Sequence, residues 1–208
     1  RSSTAIAEGR FTSQITTVDV PQRRSDPIQV HTDEGPRSDT TLEGLSGLRP
    51  VFKKDGTVTA GNASSINDGA AMVVMMSEEK AKSLGISPRM KWNARGVAGV
   101  EPAIMGIGPV PAVKKAVARA GMSVSDIDVI ELNEAFASQA LYCIRELNFD
   151  IEKTNPNGSG ISLGHPVGAT GAIMTVKLME EMERSDSQLG LVTMCVGGGQ
   201  GVATVFER

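Results

Sequence analysis

The stretch VIELNEAFASQALYCIRELN, residues 129–148, decides the fold because a short apolar strand runs directly into a long amphipathic helix. VIEL (129–132) has the apolar character of a buried strand, and the helix pattern follows at NEAFA (133–137). A strand that leads straight into a helix is the building unit of α/β domains. The flanking sequence should therefore alternate between strands and helices.

Segments on both sides continue this alternation. The predicted strands are AAMVVMM (70–76), MKWNARGVAGV (90–100), GLVTMCV (190–196) and GVATVFE (201–207). The predicted helices are one from Ser77 to about Gly85, PVPAVKKAVARAG (109–121) and GATGAIMTVKLMEEMER (168–184). The run at 70–76 is continuously apolar, which is typical of a strand buried on both faces, and the last two strands suit a hairpin. We predict an α/β fold with a mixed five-stranded sheet flanked by helices.

The first sixty residues differ in composition from the rest. They are polar and interrupted by prolines, and only ITTVDV (15–20) alternates enough for a short edge strand. At Thr59 the alternating apolar pattern begins. We therefore divide the chain into a loop-rich segment, 1–60, and an α/β domain, 61–208.

Composition excludes several classes of function. The net charge is −3 with scattered basic residues, so no nucleic-acid partner is expected. No apolar run approaches the roughly 20 residues that cross a bilayer, so no membrane partner is expected either. Two cysteines among 208 residues are too few for a disulfide framework, which favours a reducing compartment. Two cysteines and two histidines also give no ligand set for structural zinc, and we expect no metal site.

Three loops carry residues suited to chemistry, and α/β folds place ligands in such loops. In the first, Asn133 stands at the junction between the 129–132 strand and the next helix. It is either the N-cap of that helix or a side-chain amide that orients a water or a substrate carbonyl. The sequence leaves both interpretations open.

The second loop, NGSGISLGHPVGATG (157–171), holds His165 among five glycines. Glycine leaves out side chains where a ligand or another backbone must come close. A lone histidine is more often structural than catalytic, but this setting makes the two interpretations equally open. His31 lies in the polar segment beside acidic residues, and we interpret it as a surface residue.

The third loop, CVGGGQ (195–200), places Cys195 at the end of a predicted strand, before three glycines. Nearby backbone N–H groups can depress a thiol pKa or stabilise an oxyanion. The alternative is a buried apolar cysteine before a bulge, which is also our interpretation of Cys143. Neither GxGxxG nor GxxxxGK[ST] occurs, so these nucleotide-phosphate loops are not supported.

In their order along the chain, NEAFA (133–137), GHPVGATGA (164–172) and CVGGG (195–199) resemble the signature loops of the thiolase family. A fourth segment, TAGNASSINDGA (59–70), is similar to that family's TAGN[AS]S…DGA stretch. The segments 33–62 and 101–112 most resemble peroxisomal-type 3-ketoacyl-CoA thiolases. The resemblance covers nearly the whole chain and implies that residues 1–60 are the end of the family's CoA-binding loop domain.

The resemblance implies an acyltransferase of fatty-acid β-oxidation. Such an enzyme cleaves 3-ketoacyl-CoA with CoA, or runs the reverse Claisen condensation, with CoA and acyl-CoA as substrates and no further cofactor. By resemblance, His165 activates the nucleophilic thiol and contributes to the enolate oxyanion hole, and Asn133 holds the water that completes that hole. Cys195 is implied as the acid/base at the α-carbon, and the Gly197 N–H as a donor of the second oxyanion hole.

Two further residues are implied in substrate binding. Ser64 is similar to the residue that contacts the pantetheine arm of CoA. Arg37 lies where the family often places a contact to the CoA nucleotide. The resemblance also implies a dimer or tetramer and a peroxisomal location, with a cytoplasmic or mitochondrial one as the alternative.

One departure from the family concerns the nucleophile. The family's nucleophilic cysteine lies in its N-terminal half, in a C-[AGS]-S-G motif, and nothing here matches it because Cys143 stands between Tyr142 and Ile144. The first residue is Arg1, in what reads as the tail of a helix, so we expect a fragment or a processed product. We also expect the chain alone to be inactive and to need the missing N-terminal half, whose absence would expose an apolar face.

Two other interpretations remain open. A 3-ketoacyl synthase-like condensing enzyme shares the fold, but Cys195 argues against it because those proteins lack a cysteine at the final strand turn. A non-catalytic acyl-CoA-binding module is the alternative from another class. The joint presence of Asn133, His165 and Cys195 disfavours it, because a binding module has no need of a base.

Overall fold

The computed structural model describes residues 1–208 and contains one mixed sheet of four strands in the order β3-β6-β5-β4. These strands are β3 (Lys91–Gly99), β4 (Val129–Leu132), β5 (Leu189–Val196) and β6 (Gln200–Glu207), in addition to the short β1 (Val18–Val20) and β2 (Ile28–Val30). The helices are α1 (Ser2–Ala7), α2 (Leu42–Ser46), α3 (Glu78–Ser83), α4 (Pro109–Ala120), α5 (Ala137–Glu146), α6 (Gly160–Leu163) and α7 (Thr170–Arg184), and two 3₁₀ turns cover Pro102–Ile107 and Val124–Asp126. The predicted α/β class with a mixed sheet is confirmed.

The sheet has four strands where five were predicted, because residues 70–76 form no strand. None of these residues makes a backbone hydrogen bond to another part of the chain, and Met72 and Val74 are 85% and 80% exposed. A strand needs a neighbour that takes its backbone hydrogen bonds, and no segment of this chain lies beside the run. The prediction of a strand buried on both faces is therefore wrong for these residues.

The pairing of the four strands includes the predicted hairpin. β5 and β6 form the expected antiparallel hairpin, and β6 pairs antiparallel with β3. β4 and β5 run parallel, with Leu132 opposite Thr193. Since parallel strands end at the same edge of a sheet, the loops after β4 and β5 lie side by side.

Helices cover both faces of the sheet and divide the core in two. Along β4, Ile130 and Leu132 join the larger cluster with α4 and α5, whereas Val129 joins the smaller cluster with α7. This alternation is the period of two expected for a strand that is buried on both faces. No helix of the structure has both the length and the apolar character required to cross a bilayer.

Two glycines let α4 approach the sheet closely. A Cβ on Gly201 of β6 would lie 1.9 Å from the carbonyl oxygen of Gly108, and one on Gly96 of β3 would lie 2.0 Å from that of Ala112. No side chain fits at these distances, so glycine is required wherever the start of α4 crosses the two strands.

The first sixty residues are mostly exposed, with the predicted edge strand present as β1, paired antiparallel with β2. α1 is the exception because it packs on the loop that precedes α6. The Ser2 hydroxyl donates to the carbonyl oxygen of Asn157 at 3.3 Å and lies 2.5 Å from the Ser162 hydroxyl. The first helix is thus joined to the glycine-rich loop.

Candidate active site

The end of β4 is fixed by side chains from the glycine-rich loop and from the residues just before it. The amide of Asn155 donates to the carbonyl oxygen of Leu132 and accepts from its N–H, both at 2.8 Å, and so acts like a neighbouring strand. The Ser159 hydroxyl donates to the same carbonyl oxygen at 3.0 Å. Asn133 N–H in turn donates to Thr193 O of β5 at 3.0 Å. These contacts hold the first and second candidate loops against each other.

Asn133 is buried, with 1% of its surface exposed, and its side-chain Nδ2 lies 3.4 Å from His165 Nε2. It is not the helix N-cap, because α5 begins four residues later with Phe136 at the cap position. Of the two interpretations of Asn133, the structure therefore excludes the capping one. A Cβ on Gly160 would lie 2.9 Å from Asn133 Oδ1, so the glycine makes room for this amide.

His165 is held from both sides of its ring. Its Nδ1 lies 2.7 Å from the Thr170 hydroxyl, while Nε2 faces Asn133. The preceding Gly164 has φ of +92°, in the region that favours glycine, and a Cβ there would lie 2.3 Å from Asn67 Oδ1. Burial lowers the pKa of the His165 imidazole, so the neutral ring, a proton acceptor, is favoured.

Sequence reasoning missed Thr170. A hydroxyl five residues after the histidine, at the start of a helix, was visible within the quoted motif. The loop must nevertheless fold back on itself before that hydroxyl reaches Nδ1, and spacing alone does not reveal such a turn.

A segment near residue 64 binds both candidate loops. Ser64 N–H donates to Ala135 O at 2.9 Å, and Ala137 N–H donates to Asn62 O at 2.8 Å. His165 N–H donates to Ser65 O at 3.2 Å. Ser64, predicted to contact the pantetheine arm, is thus half-buried beside the NEAFA loop.

Cys195 is buried near the end of β5, with 5% of its surface exposed and Gly201 opposite it in the hairpin. Burial raises the pKa of its thiol, and this effect outweighs the lowering by a backbone hydrogen bond. The suggestion that the glycine loop depresses this pKa is therefore wrong: the thiol is protonated at neutral pH and can serve as an acid. Gly197 is exposed, and its N–H donates no hydrogen bond to another backbone group.

Other candidates lie away from this group. Cys143 is fully buried, as expected, and burial raises the pKa of its thiol to about 11. His31 is exposed, which confirms its surface assignment. Arg37 is exposed and its guanidinium makes no hydrogen bond to the candidate loops, although Gly35 nearby lies against Ser162 O. No three His, Cys, Asp or Glu side chains come together in a way that could hold a metal ion.

The structure therefore joins a neutral imidazole and a buried amide in direct contact, with a protonated thiol and an open N–H at the neighbouring strand end. A base, an acid and hydrogen-bond donors at one edge of a sheet can transfer protons and stabilise developing negative charge.

The models of one protein family match nearly the whole chain. The profile described as "Thiolase, C-terminal domain" matches residues 86–208, and that described as "Thiolase, N-terminal domain" matches residues 1–79. Acetyl-CoA acetyltransferase of Thiocystis violacea is 52% identical over 208 residues, covering 100% of this chain and 53% of the relative. Beta-ketothiolase of Cupriavidus necator is 54% identical over 209 residues, covering 100% of this chain and 53% of the relative.

Solved structures agree in fold. The crystal structure of the Bacillus anthracis acetyl-CoA acetyltransferase matches with a TM-score of 0.96 and 50% identity, covering 99% of this chain and 52% of that one. Human mitochondrial 3-ketoacyl-CoA thiolase matches with a TM-score of 0.91 and 39% identity, covering 100% of this chain and 52% of that one. The chain spans about half the length of the relatives it matches.

Proposed function

Because this chain belongs to the thiolase family, we propose that it supplies the proton-transfer groups of a 3-ketoacyl-CoA thiolase site. The reaction is the thiolytic cleavage of 3-ketoacyl-CoA to acyl-CoA and acetyl-CoA, or the reverse condensation. The observation that carries the proposal is the 3.4 Å contact between Asn133 Nδ2 and His165 Nε2, which joins two separate loops. A buried amide beside a neutral imidazole suits an oxyanion site that works together with a base.

Each residue of the site has a proposed role. His165 accepts the proton of the nucleophilic thiol, and Asn133 holds the water that completes the first oxyanion site. Cys195 gives or takes the proton at the α-carbon; its raised pKa, due to burial, keeps it ready as an acid. The open N–H of Gly197 serves the second oxyanion, and Ser64 and Arg37 contact the CoA arm and nucleotide.

The nucleophile of the reaction is not among these residues. The only other thiol, Cys143, is fully buried, its pKa is raised to about 11, and its Sγ donates to Gly106 O at 3.5 Å. The thiolate is the reactive form of cysteine, so this thiol is a poor nucleophile. We propose that the nucleophilic thiol comes from a segment outside these 208 residues, equivalent to the other half of the relatives.

The exposed residues at 66–76 support the proposal that another polypeptide segment packs against this chain. Ile66, Met72 and Val74 are 98%, 85% and 80% exposed, in a segment whose backbone groups make no hydrogen bond to other backbone groups. Residues 70–76 form no strand in this chain, but an apolar run with unpaired backbone groups can pair with a strand of another segment. We propose that the other thiolase half pairs here, and that the complete protein is an oligomer.

The substrate range and location are also proposed rather than fixed by the relatives. Those named above include an acetyl-CoA acetyltransferase, a beta-ketothiolase and a 3-ketoacyl-CoA thiolase. The preference for longer 3-ketoacyl-CoA and the peroxisomal location stay predictions that rest on segments 33–62 and 101–112.

A second candidate is a non-catalytic acyl-CoA-binding module. The absence of a C-[AGS]-S-G motif from the sequence favours it, because such a module needs no nucleophile.

Thiolysis assays separate the two candidates. The chain is assayed on acetoacetyl-CoA and on a longer 3-ketoacyl-CoA, alone and with the half of the Bacillus anthracis enzyme that it does not cover. We expect turnover only in the mixture, and a loss of roughly 10² to 10⁴-fold in the variants His165→Ala and Cys195→Ala. The matched controls are His31→Ala and Cys143→Ala, which should retain the activity of the mixture.

Two outcomes contradict the proposal. Turnover by the chain alone would refute the claim that the nucleophile lies elsewhere. CoA binding without turnover in the mixture would favour the binding module.

A further inference from the structure

The Thr170 hydroxyl lies between two polar groups of the His165 loop. Its Oγ1 is 2.7 Å from His165 Nδ1 and 2.9 Å from the carbonyl oxygen of Pro166. Thr170 is 4% exposed, so these two groups are its partners. A hydroxyl has one proton to give and lone pairs to accept with, so the two contacts decide which atom carries each proton.

The Pro166 carbonyl fixes the direction of the chain of hydrogen bonds. A carbonyl oxygen can only accept, so the Thr170 hydroxyl donates its proton there. Oγ1 then accepts from His165, which requires a proton on Nδ1. If the hydroxyl donated to Nδ1 instead, lone pairs of Thr170 Oγ1 and of the Pro166 carbonyl oxygen would face each other at 2.9 Å, with no proton between them.

The hydroxyl is not needed to satisfy that carbonyl. Pro166 O already accepts from the backbone N–H of Ala169 at 2.7 Å and of Thr170 at 2.9 Å. The hydroxyl therefore adds a third, shared hydrogen bond to an oxygen that already has two donors. The contact that gives the hydroxyl a distinct role is the one with the imidazole.

On the other side of the ring, Nε2 faces the Nδ2 of Asn133 at 3.4 Å. An amide nitrogen donates, so it matches an unprotonated Nε2. Both sides of the ring therefore agree on the same tautomer.

We propose that Thr170 is a positioning residue that holds His165 in its Nδ1–H tautomer and leaves Nε2 as the proton acceptor of the site. The inference deepens the proposed function and rests on it for its meaning, because the tautomer decides which nitrogen can take the proton of the incoming thiol. The contacts that orient the ring all lie within this chain, so the ring can be studied without the other half.

The tautomer can be read without any substrate. The 208-residue chain is labelled with ¹⁵N in histidine, and long-range ¹H–¹⁵N correlations of the imidazoles are recorded at about pH 8, where histidine is neutral. The His31→Ala background leaves one imidazole in the spectrum. The variants are Thr170→Val, which keeps the shape and removes the hydroxyl, and Thr170→Ser, which restores it.

Thr175→Val is the matched control, since Thr175 also lies in α7 and its hydroxyl donates to Gly171 O, four residues back, at 2.8 Å. We expect the Nδ1–H form to exceed the Nε2–H form in the parent chain, in Thr170→Ser and in Thr175→Val. The ratio should fall by up to about tenfold in Thr170→Val, the value of one hydrogen bond.

An Nε2–H imidazole in the parent chain would overturn the proposal, and so would a Thr170→Val ratio equal to that of the parent. Because no turnover is measured, this result and the thiolysis result can fail independently. A chain with the expected tautomer and no activity in any mixture would leave the positioning role intact and refute the proposed function.

Discussion

At the scale of single residues, burial of the His165 ring makes the stability of the fold sensitive to acid. Burial lowers its pKa below 6.5, so the unfolded chain takes up a proton at a higher pH than the folded chain does. The contribution of His165 to the free energy of unfolding therefore falls as pH decreases through 6.5, and levels off below the folded pKa. We predict that the parent chain loses stability relative to His165→Gln over this window.

Urea unfolding of both chains at about pH 7.5 and about pH 5, on either side of the ordinary histidine pKa, measures this difference. The carboxylates and lysines are common to both chains and cancel in the comparison. An equal pH dependence, or a relative gain by the parent chain in acid, would contradict the assignment of a half-buried, neutral imidazole.

Some features of the candidate site could be predicted from the sequence, and others could not. His165 and Asn133 could be selected as candidates because their motifs are specific in order and spacing, and the structure brings their side chains together. The direction of the Cys195 pKa shift was wrong because it depends on the depth of burial, which adjacent glycines do not reveal. Thr170 was missed because its contact with the ring depends on how the loop turns back.

At the scale of elements, a buried ion pair ties α7 to β4. Lys177 Nζ donates to Glu131 Oε2 at 2.7 Å and to Gly158 O at 2.6 Å, and the two side chains are 5% and 0% exposed. Removing one partner leaves the other charge buried without compensation. We predict that Lys177→Met lowers the free energy of unfolding by about 3 to 5 kcal/mol in urea titrations.

Two comparisons test the buried pair. Lys115→Met removes an exposed lysine that donates to Val97 O at 3.2 Å, and it should cost much less. The double variant Glu131→Leu, Lys177→Met should recover a large part of the loss, because no charge remains buried. If the double variant is as unstable as Lys177→Met, the loss reflects packing rather than the uncompensated charge.

The contact between α4 and β6 gives a second test at this scale. Gly201→Ala would place a Cβ 1.9 Å from Gly108 O, and backbone atoms on both sides cannot turn away as a flexible side chain would. We predict a loss of about 1 to 3 kcal/mol in the free energy of unfolding. Gly168→Ala is the control, since its Cβ would meet no atom within 4 Å. Equal stability of the two variants would refute the close approach.

Most elements could be predicted because their periodicity is set locally. The β5–β6 hairpin and helices α4 and α7 follow from alternation and helical spacing within each segment. The run at 70–76 has the composition of a buried strand and is nevertheless exposed. The composition shows that the segment can form a strand. A strand also needs a neighbouring strand for its hydrogen bonds, and no part of this chain pairs with the run.

At the scale of the whole molecule, the groups that we propose for proton transfer lie near one edge of the four-stranded sheet. The proposed base, acid and N–H donor lie near the ends of β4 and β5, while an exposed apolar run lies at 70–76. We therefore assign proton transfer to this chain and the acyl carrier to the other half of the relatives.

Intact-mass spectrometry after incubation with acetyl-CoA tests this claim most directly. The chain is mixed with the half of the Bacillus anthracis enzyme that it does not cover, and the two polypeptides are weighed separately after an acid quench. The account predicts the mass of one acetyl group on the added half and none on this chain, with less acetylation when His165 is replaced by alanine. An acetyl group on Cys195 or Cys143 of this chain would contradict it.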